Sequence, residues 1–166
     1  MDDNEIEARV RARLAATGVD YDVIACDPAF ADTAAFCERY GFSLDESANT
    51  IVVAARRHAD IACACVAMAT TRLDVNHKVC ELLGVRKASF ATPEQTRDIT
   101  GMLIGGVTPF GLPDALSVYV DSAVMRREAV VLGGGSRSMK LKVSPRALLR
   151  LRSVRVIDGL AAPAAA

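Results

Sequence analysis

The stretch TIVVAARRHADIACACVAMA, residues 50–69, decides the architecture. Its two apolar runs, Thr50–Ala55 and Ile61–Ala69, are rich in β-branched and small residues. Arg56, Arg57, His58, Ala59 and Asp60 separate them, a loop length that suits a hairpin. Neither run alternates with polar residues, so both are expected to be strands buried on two faces. At nine residues the longer run falls well short of the roughly 20 needed to cross a bilayer, and no membrane segment is expected.

Upstream, Asp2, Asp3 and Asn4 offer capping side chains before Ile6, Val10 and Leu14, whose spacing sets an apolar stripe on a helix of about residues 5–17 that ends at Gly18. Val19–Cys26 reads as a strand, and Asp32–Tyr40 as a helix closed by Gly41. Downstream, Asp74 opens a helix with Val75, Val79, Leu82 and Leu83 on one face, stopped by Gly84. Thr92, Pro93 and Gln95 form a capping box for a short helix to Thr100. Strands are expected near 116–120, 128–132 and 138–143. Ser144-Pro145 starts a last helix, and a final strand runs from Val154 to Ile157.

Helices and strands intermixed in this way, with later strands following one another through short links, predict one α/β domain with a mixed central sheet surrounded by helices. A length of 166 residues, with 51% hydrophobic and 24% charged, suffices for one sizeable core. The domain is expected over residues 1–158, with residues 159–166 as a flexible tail lacking any buried role.

Twenty basic and twenty acidic residues cancel, but not along the chain. Residues 1–48 carry eleven acids against four bases, whereas residues 126–155 carry nine bases against Glu128 alone. Polyanion contact by the C-terminal third is therefore an open option beside a merely solvated face. Cys26, Cys37, Cys63, Cys65 and Cys80 are odd in number and contain no CxxC pair, and the N-terminus lacks the apolar stretch of a signal peptide. Buried free thiols in a reducing cytoplasm are the expectation. Two thiolates at Cys63 and Cys65 without nearby histidines make a poor zinc site, so neither metal nor cofactor is expected.

Gly105-Gly106-Val107-Thr108-Pro109-Phe110-Gly111-Leu112-Pro113 is too apolar and too rigid for an ordinary solvent loop. It suits either preset N–H donors for a carbonyl that develops negative charge, or a tight connection packed on the sheet. Gly133-Gly134-Gly135-Ser136-Arg137 suits an anion-binding turn with Arg137 as counter-charge, or else a hairpin with a wet face carrying Ser138, Lys140 and Lys142. It is neither a Walker loop nor a dinucleotide fingerprint. His58 and His77 lack a catalytic context and are expected at the surface. No serine or cysteine sits beside an activating base, which argues against a side-chain nucleophile.

The segment DVNHKVCELLGVRKASFATPEQTRDITGMLIGGVTPFGLP, followed by VYVDSAV, VVLGGGSRSMKLKVSP and ALLRL, resembles the YbaK family of prolyl-tRNA-editing-like domains. The GGVTPFGLP block is its most specific part, and the similarity runs in order from about Thr50 to Asp158. The resemblance implies a mixed, barrel-like sheet and hydrolysis of the ester between a wrong, small amino acid and its tRNA. It implies the tRNA acceptor end as partner, an aminoacyl-tRNA synthetase as a further one, and the loop from Gly105 through Pro109 facing the terminal adenosine and aminoacyl carbonyl. An activated ester needs orientation, a placed water and carbonyl polarisation more than a strong nucleophile.

One departure stands out. Where many family members carry Lys-Thr at the start of the first central strand, this chain has Asn49-Thr50. Asn can donate a hydrogen bond but cannot neutralise charge. Lys140, on the strand after Gly135, is the candidate replacement cation. Catalytic roles are thus expected for Asn49, Thr50, Gly105, Gly106 and Lys140. Substrate contacts are expected from Val107, Thr108, Pro109, Phe110, Gly134, Ser136, Arg137 and Ser138. The alternative is a binding module of the same fold, for an aminoacyl-adenosine-like ligand or a synthetase, that has lost turnover with the lysine. Neither the amino acid cleared nor the oligomeric state follows from the sequence.

Overall fold

The computed structural model describes residues 2–164. Its elements follow in the order α1 (Asp3–Thr17), β1 (Tyr21–Ala25), α2 (Thr33–Tyr40), β2 (Ala48–Ala55), β3 (Ala62–Met68), β4 (Thr71–Leu73), α3 (Cys80–Leu83), β5 (Ala88–Phe90), α4 (Pro93–Thr100), β6 (Ser117–Asp121), α5 (Ser122–Met125), β7 (Val130–Gly133), β8 (Met139–Val143), β9 (Val154–Ile157) and β10 (Ala161–Pro163).

The two apolar runs pair as the expected antiparallel hairpin, β2 with β3, in a register that sets Asn49 opposite Ala67 and Ala54 opposite Ala62. Around it builds a five-stranded mixed sheet in the order β5-β2-β3-β6-β9, with β3, β6 and β9 parallel. Both faces are covered, and alternation along β3 shows how. Ala64, Val66 and Met68 enter the larger core beneath α1 and the second sheet, whereas Cys63, Cys65 and Ala67 enter a smaller core with Leu73, Val79 and Leu160.

The second sheet, β1-β8-β7, is antiparallel throughout. One isolated parallel bridge, Ser47 with Val131, joins it to β2. The strands therefore form an α/β domain with a mixed central sheet, but the sheet is not a closed barrel: β5 and β9 are its edges.

Helix starts follow their capping residues. Asp2 and Glu5 close a capping box on α1, Thr92 and Gln95 close another on α4, and Gly18, Gly41, Gly84 and Gly101 end their helices in the left-handed region. Two expected helices differ in kind. The segment after Asp74 begins as a π-turn, Val75–Val79, before α3, and the segment after Ser144 is a 3₁₀ turn, Pro145–Arg150.

The tail expected after residue 158 is ordered as far as it is described. Leu160 is fully buried, and Ala161–Pro163 pair with Leu73–Thr71. Residues 165 and 166 lie outside the described residues. Like β4 and β5, β10 is three residues long, too short for a period to register, and its partner lies about ninety residues away in the chain. All five cysteines are buried and free. Among the described residues no helix is long and apolar enough to cross a membrane, and no group of three or more metal-ligating side chains converges.

Candidate active site

A cavity of about 230 Å³ opens between the start of β2, the N-terminal turn of α2, the end of β7 and the glycine-rich loop. Asn49 and Thr50 reach it from β2, Gly105 and Val107 from the loop, and Lys140 from β8. Five of the thirteen residues expected at the site thus meet in one concavity, although they lie ninety residues apart in the chain.

Lys140 is the ionic centre of this cavity. It is only 6% exposed, its Nζ donates a 2.7 Å hydrogen bond to the Gly105 carbonyl, and it stands 5.5 Å from the centre of the Phe36 ring. Burial pushes its ammonium below the usual lysine range, and the neighbouring Arg137 adds to this, while Cys26, Asp32 and Cys37 act in the opposite direction. The wet face is therefore corrected at Lys140, whereas Lys142 on the same face stays partly exposed. Phe36, Tyr40 and Phe42 form a ring cluster on α2 and just beyond it, and Lys142 lies 6.0 Å from the Phe42 ring.

Asn49 accepts a hydrogen bond at Oδ1 from the Thr33 hydroxyl at the start of α2. Its amide NH₂ is then the group left to donate. Thr50 Oγ1 is buried and has no hydrogen-bond partner within the protein. A buried hydroxyl of this kind on a cavity wall is a natural contact for a ligand or a bound water.

The two glycine segments exist for each other. A Cβ on Gly106 would come within 2.6 Å of the Ser136 backbone, and one on Gly133 within 2.3 Å of the Val107 carbonyl oxygen. The Gly135 N–H donates to the Gly106 carbonyl at 2.7 Å. Residues 105–107 can lie this close to the β7–β8 turn only because neither side carries a side chain there. Of the two alternatives left by the sequence, the packed connection is what the geometry shows: the segment packs on the sheet through Gly106, whose N–H is bonded to the Leu103 carbonyl at 2.9 Å, and it lines the cavity with Gly105 and Val107.

Arg137 holds this arrangement rather than standing as a free counter-charge. Its Nε and Nη2 donate to the Pro28 carbonyl at 3.1 and 2.9 Å, and its Nη1 donates to the Ile104 carbonyl at 2.6 Å and to Asp32 at 3.1 Å. The remaining expected contacts lie off the cavity wall. The Ser136 hydroxyl donates to Glu7, Ser138 binds through its backbone to Ser136 and Cys26, and Gly134 packs against Met139. Thr108 and Phe110 are fully buried in the interior. Pro109 lines a different cleft, beside Arg13 and Asp114.

Sequence reading missed Asp32 just before α2, Thr33 and Phe36 on it, and Phe90, Ala91 and Thr96 around the start of α4, all of which line the cavity. For the first group the available signal was an acid-Thr pair opening a helix, which reads equally well as a cap. For the second it was only a capping box. The exposed His58 and His77 take no part; the His77 ring instead meets Asp74 at 3.2 Å.

The family model for the aminoacyl-tRNA editing domain matches residues 27–151. The chain is 30% identical over 139 residues to the uncharacterized protein YwhH of Bacillus subtilis (strain 168), covering 84% of this chain and 86% of that one. The fold is similar to the crystal structure of hypothetical protein APE2540, with a TM-score of 0.80 and 25% identity over 93% of this chain and 99% of that one. It is also similar to that of a candidate trans-editing enzyme for prolyl tRNA synthetase, with a TM-score of 0.75 and 25% identity over 92% and 94% of the two chains.

Proposed function

The chain belongs to the aminoacyl-tRNA editing domain family, and from that premise we propose that it is a trans-editing aminoacyl-tRNA deacylase whose site is the cavity around Lys140. The observation that carries the reading is the meeting of a buried cation, Asn49, Thr50, Gly105 and Val107 in one concavity.

In this reading the aminoacyl ester enters between β2 and the glycine loop. The Asn49 amide and loop N–H groups polarise its carbonyl, and Lys140 supplies the positive charge that stabilises the oxyanion. Thr50 holds the attacking water. The water oxygen bonds to the acyl carbon and the bond from that carbon to the ribose oxygen breaks. One water proton passes to the ribose oxygen, and the other leaves to solvent as the amino acid departs as a carboxylate. Preset groups in a site shielded from water are worth more than the same groups in solution, so no activated nucleophile is required.

Small amino acids are the substrate class in this reading, in line with the family resemblance. A cytoplasmic location and the tRNA acceptor end as partner go with this role, and a synthetase is a further partner within it. The test is hydrolysis of a panel of correctly and wrongly charged tRNAs by the wild type, Lys140→Ala and Asn49→Lys. Clearance of one mischarged class above the spontaneous rate, lost in Lys140→Ala, supports the reading and names the substrate. No clearance by wild type, with activity emerging in Asn49→Lys, would overturn it in favour of a binding module without turnover.

A further inference from the structure

At the far end of β2 the chain builds a second concavity, of about 650 Å³, whose lining includes Arg56, Arg57, His58, Arg86 and Lys87. All five are exposed, and among the described residues none of them forms an ion pair. Asp60, the acid of the same hairpin loop, pairs with none of them. Ile61 and Val85 add apolar surface to the lining. Four formal positive charges gathered in one concavity focus an attractive potential for anions that a dispersed set of surface lysines does not.

The cleft is tied to the active-site cavity by a short length of sheet. β5 pairs with β2 so that Ala88 faces Ala55 and Phe90 faces Val53, and the Arg56 N–H continues the ladder to the Lys87 carbonyl at 3.1 Å. Phe90, 56% exposed, lines the catalytic cavity, and Lys87 lies three residues before it. At about 3.3 Å per residue the two clefts are about 10 Å apart along one strand.

We propose that this second cleft binds the phosphate backbone of the nucleic acid whose 3′ end occupies the Lys140 cavity. This rests on the reading given under Proposed function. A concave row of unpaired cations beside an exposed aromatic ring suits a single strand, with phosphates on Arg56, Arg86 and Lys87 and a base against Phe90. Of the nine bases in the C-terminal segment, Arg126, Arg127, Arg146, Arg150 and Arg152 are exposed but do not line this cleft, and the other four are already engaged. Arg137 and Lys140 are held by main-chain carbonyls, and Lys142 and Arg155 lie over the Phe42 and Tyr119 rings.

The experiment measures binding of deacylated tRNA by fluorescence anisotropy across a salt series, so it needs no turnover. It compares wild type, an Arg56→Ala/Arg86→Ala/Lys87→Ala variant and a charge-matched Arg126→Ala/Arg127→Ala/Arg146→Ala control, with melting curves to establish folding. The expected result is a loss of about tenfold or more for the cleft variant, a salt slope shallower by about one for each phosphate contact removed, and little change in the control. Equal losses in both variants, no loss in the cleft variant, or no binding by wild type would each overturn the proposal. Hydrolysis of mischarged tRNA by a wild type that fails this binding test would leave the deacylase reading standing alone. Binding at the cleft without hydrolysis of any charged tRNA would do the reverse.

Discussion

Lys140 Nζ and the Gly105 carbonyl are joined by a 2.7 Å hydrogen bond across 35 residues of chain. The bond sets the only buried cation among the described residues against the loop that forms one wall of the cavity. It fixes the ammonium in place and leaves its other donors for a substrate.

Lys140→Met keeps the length of the side chain and removes the charge. Hydrolysis of the preferred mischarged tRNA is expected to fall about 10²-fold or more, the usual effect of losing one preorganised oxyanion group. Thermal stability should be held or raised, because an apolar side chain replaces a desolvated charge. Single-turnover deacylation and a melting curve check both. Retained activity would remove Lys140 from the mechanism.

Gly105 has φ of +94°, and a Cβ there would lie 2.2 Å from Arg137 Nη1. Gly159 has φ of +73° with nothing within 4 Å of a Cβ. Both alanine variants carry a conformational cost of about 1–3 kcal/mol. Gly105→Ala must also displace the guanidinium, so it should show the larger drop in melting temperature and alone impair hydrolysis. Equal drops would show that the Arg137 contact contributes nothing.

Arg137→Ala removes donors from the Pro28 and Ile104 carbonyls together and is expected to cost about 1–3 kcal/mol. Arg137→Lys should recover little of this, since one ammonium cannot reproduce a planar fork with two carbonyls and a carboxylate around it. Urea unfolding of the two variants checks the claim, and full recovery in Arg137→Lys would refute it.

The Cys65 thiol is held above the usual thiol range by its contact with Cys63, 3.7 Å away, and by burial. A folded pKa above the unfolded one means that the unfolded chain loses its proton first as pH rises. The contribution is therefore intact below the ordinary thiol pKa of about 8.5 and declines above it, by up to about 1.4 kcal/mol per pH unit. Unfolding free energies between pH 7 and 10 should fall more steeply for wild type than for Cys65→Ala. Parallel curves would contradict this.

Much of the framework was legible in residues 1–100. The hairpin from Thr50 to Ala69, the capping boxes at Asp2 and Thr92 and the closing glycines are local signals, and the elements formed within a few residues of expectation. The short strands at Thr71, Ala88 and Ala161 were not legible, because three residues carry no period and their stability comes from distant partners.

The candidate site divides the same way. Residue types and spacing alone determined that the chain is an α/β domain without a side-chain nucleophile motif and that its glycine loop is a place to look, whereas Asn49-Thr50 was marked out only by the family resemblance. That Lys140 is buried beside Gly105 rather than wet, that Arg137 clamps two carbonyls, and that Asp32, Thr33 and Phe36 complete the wall were decided by the tertiary structure. The physical reason is that alternation along β8 fixes which face Lys140 takes, but only the packing of α2 on that face decides whether the face meets water.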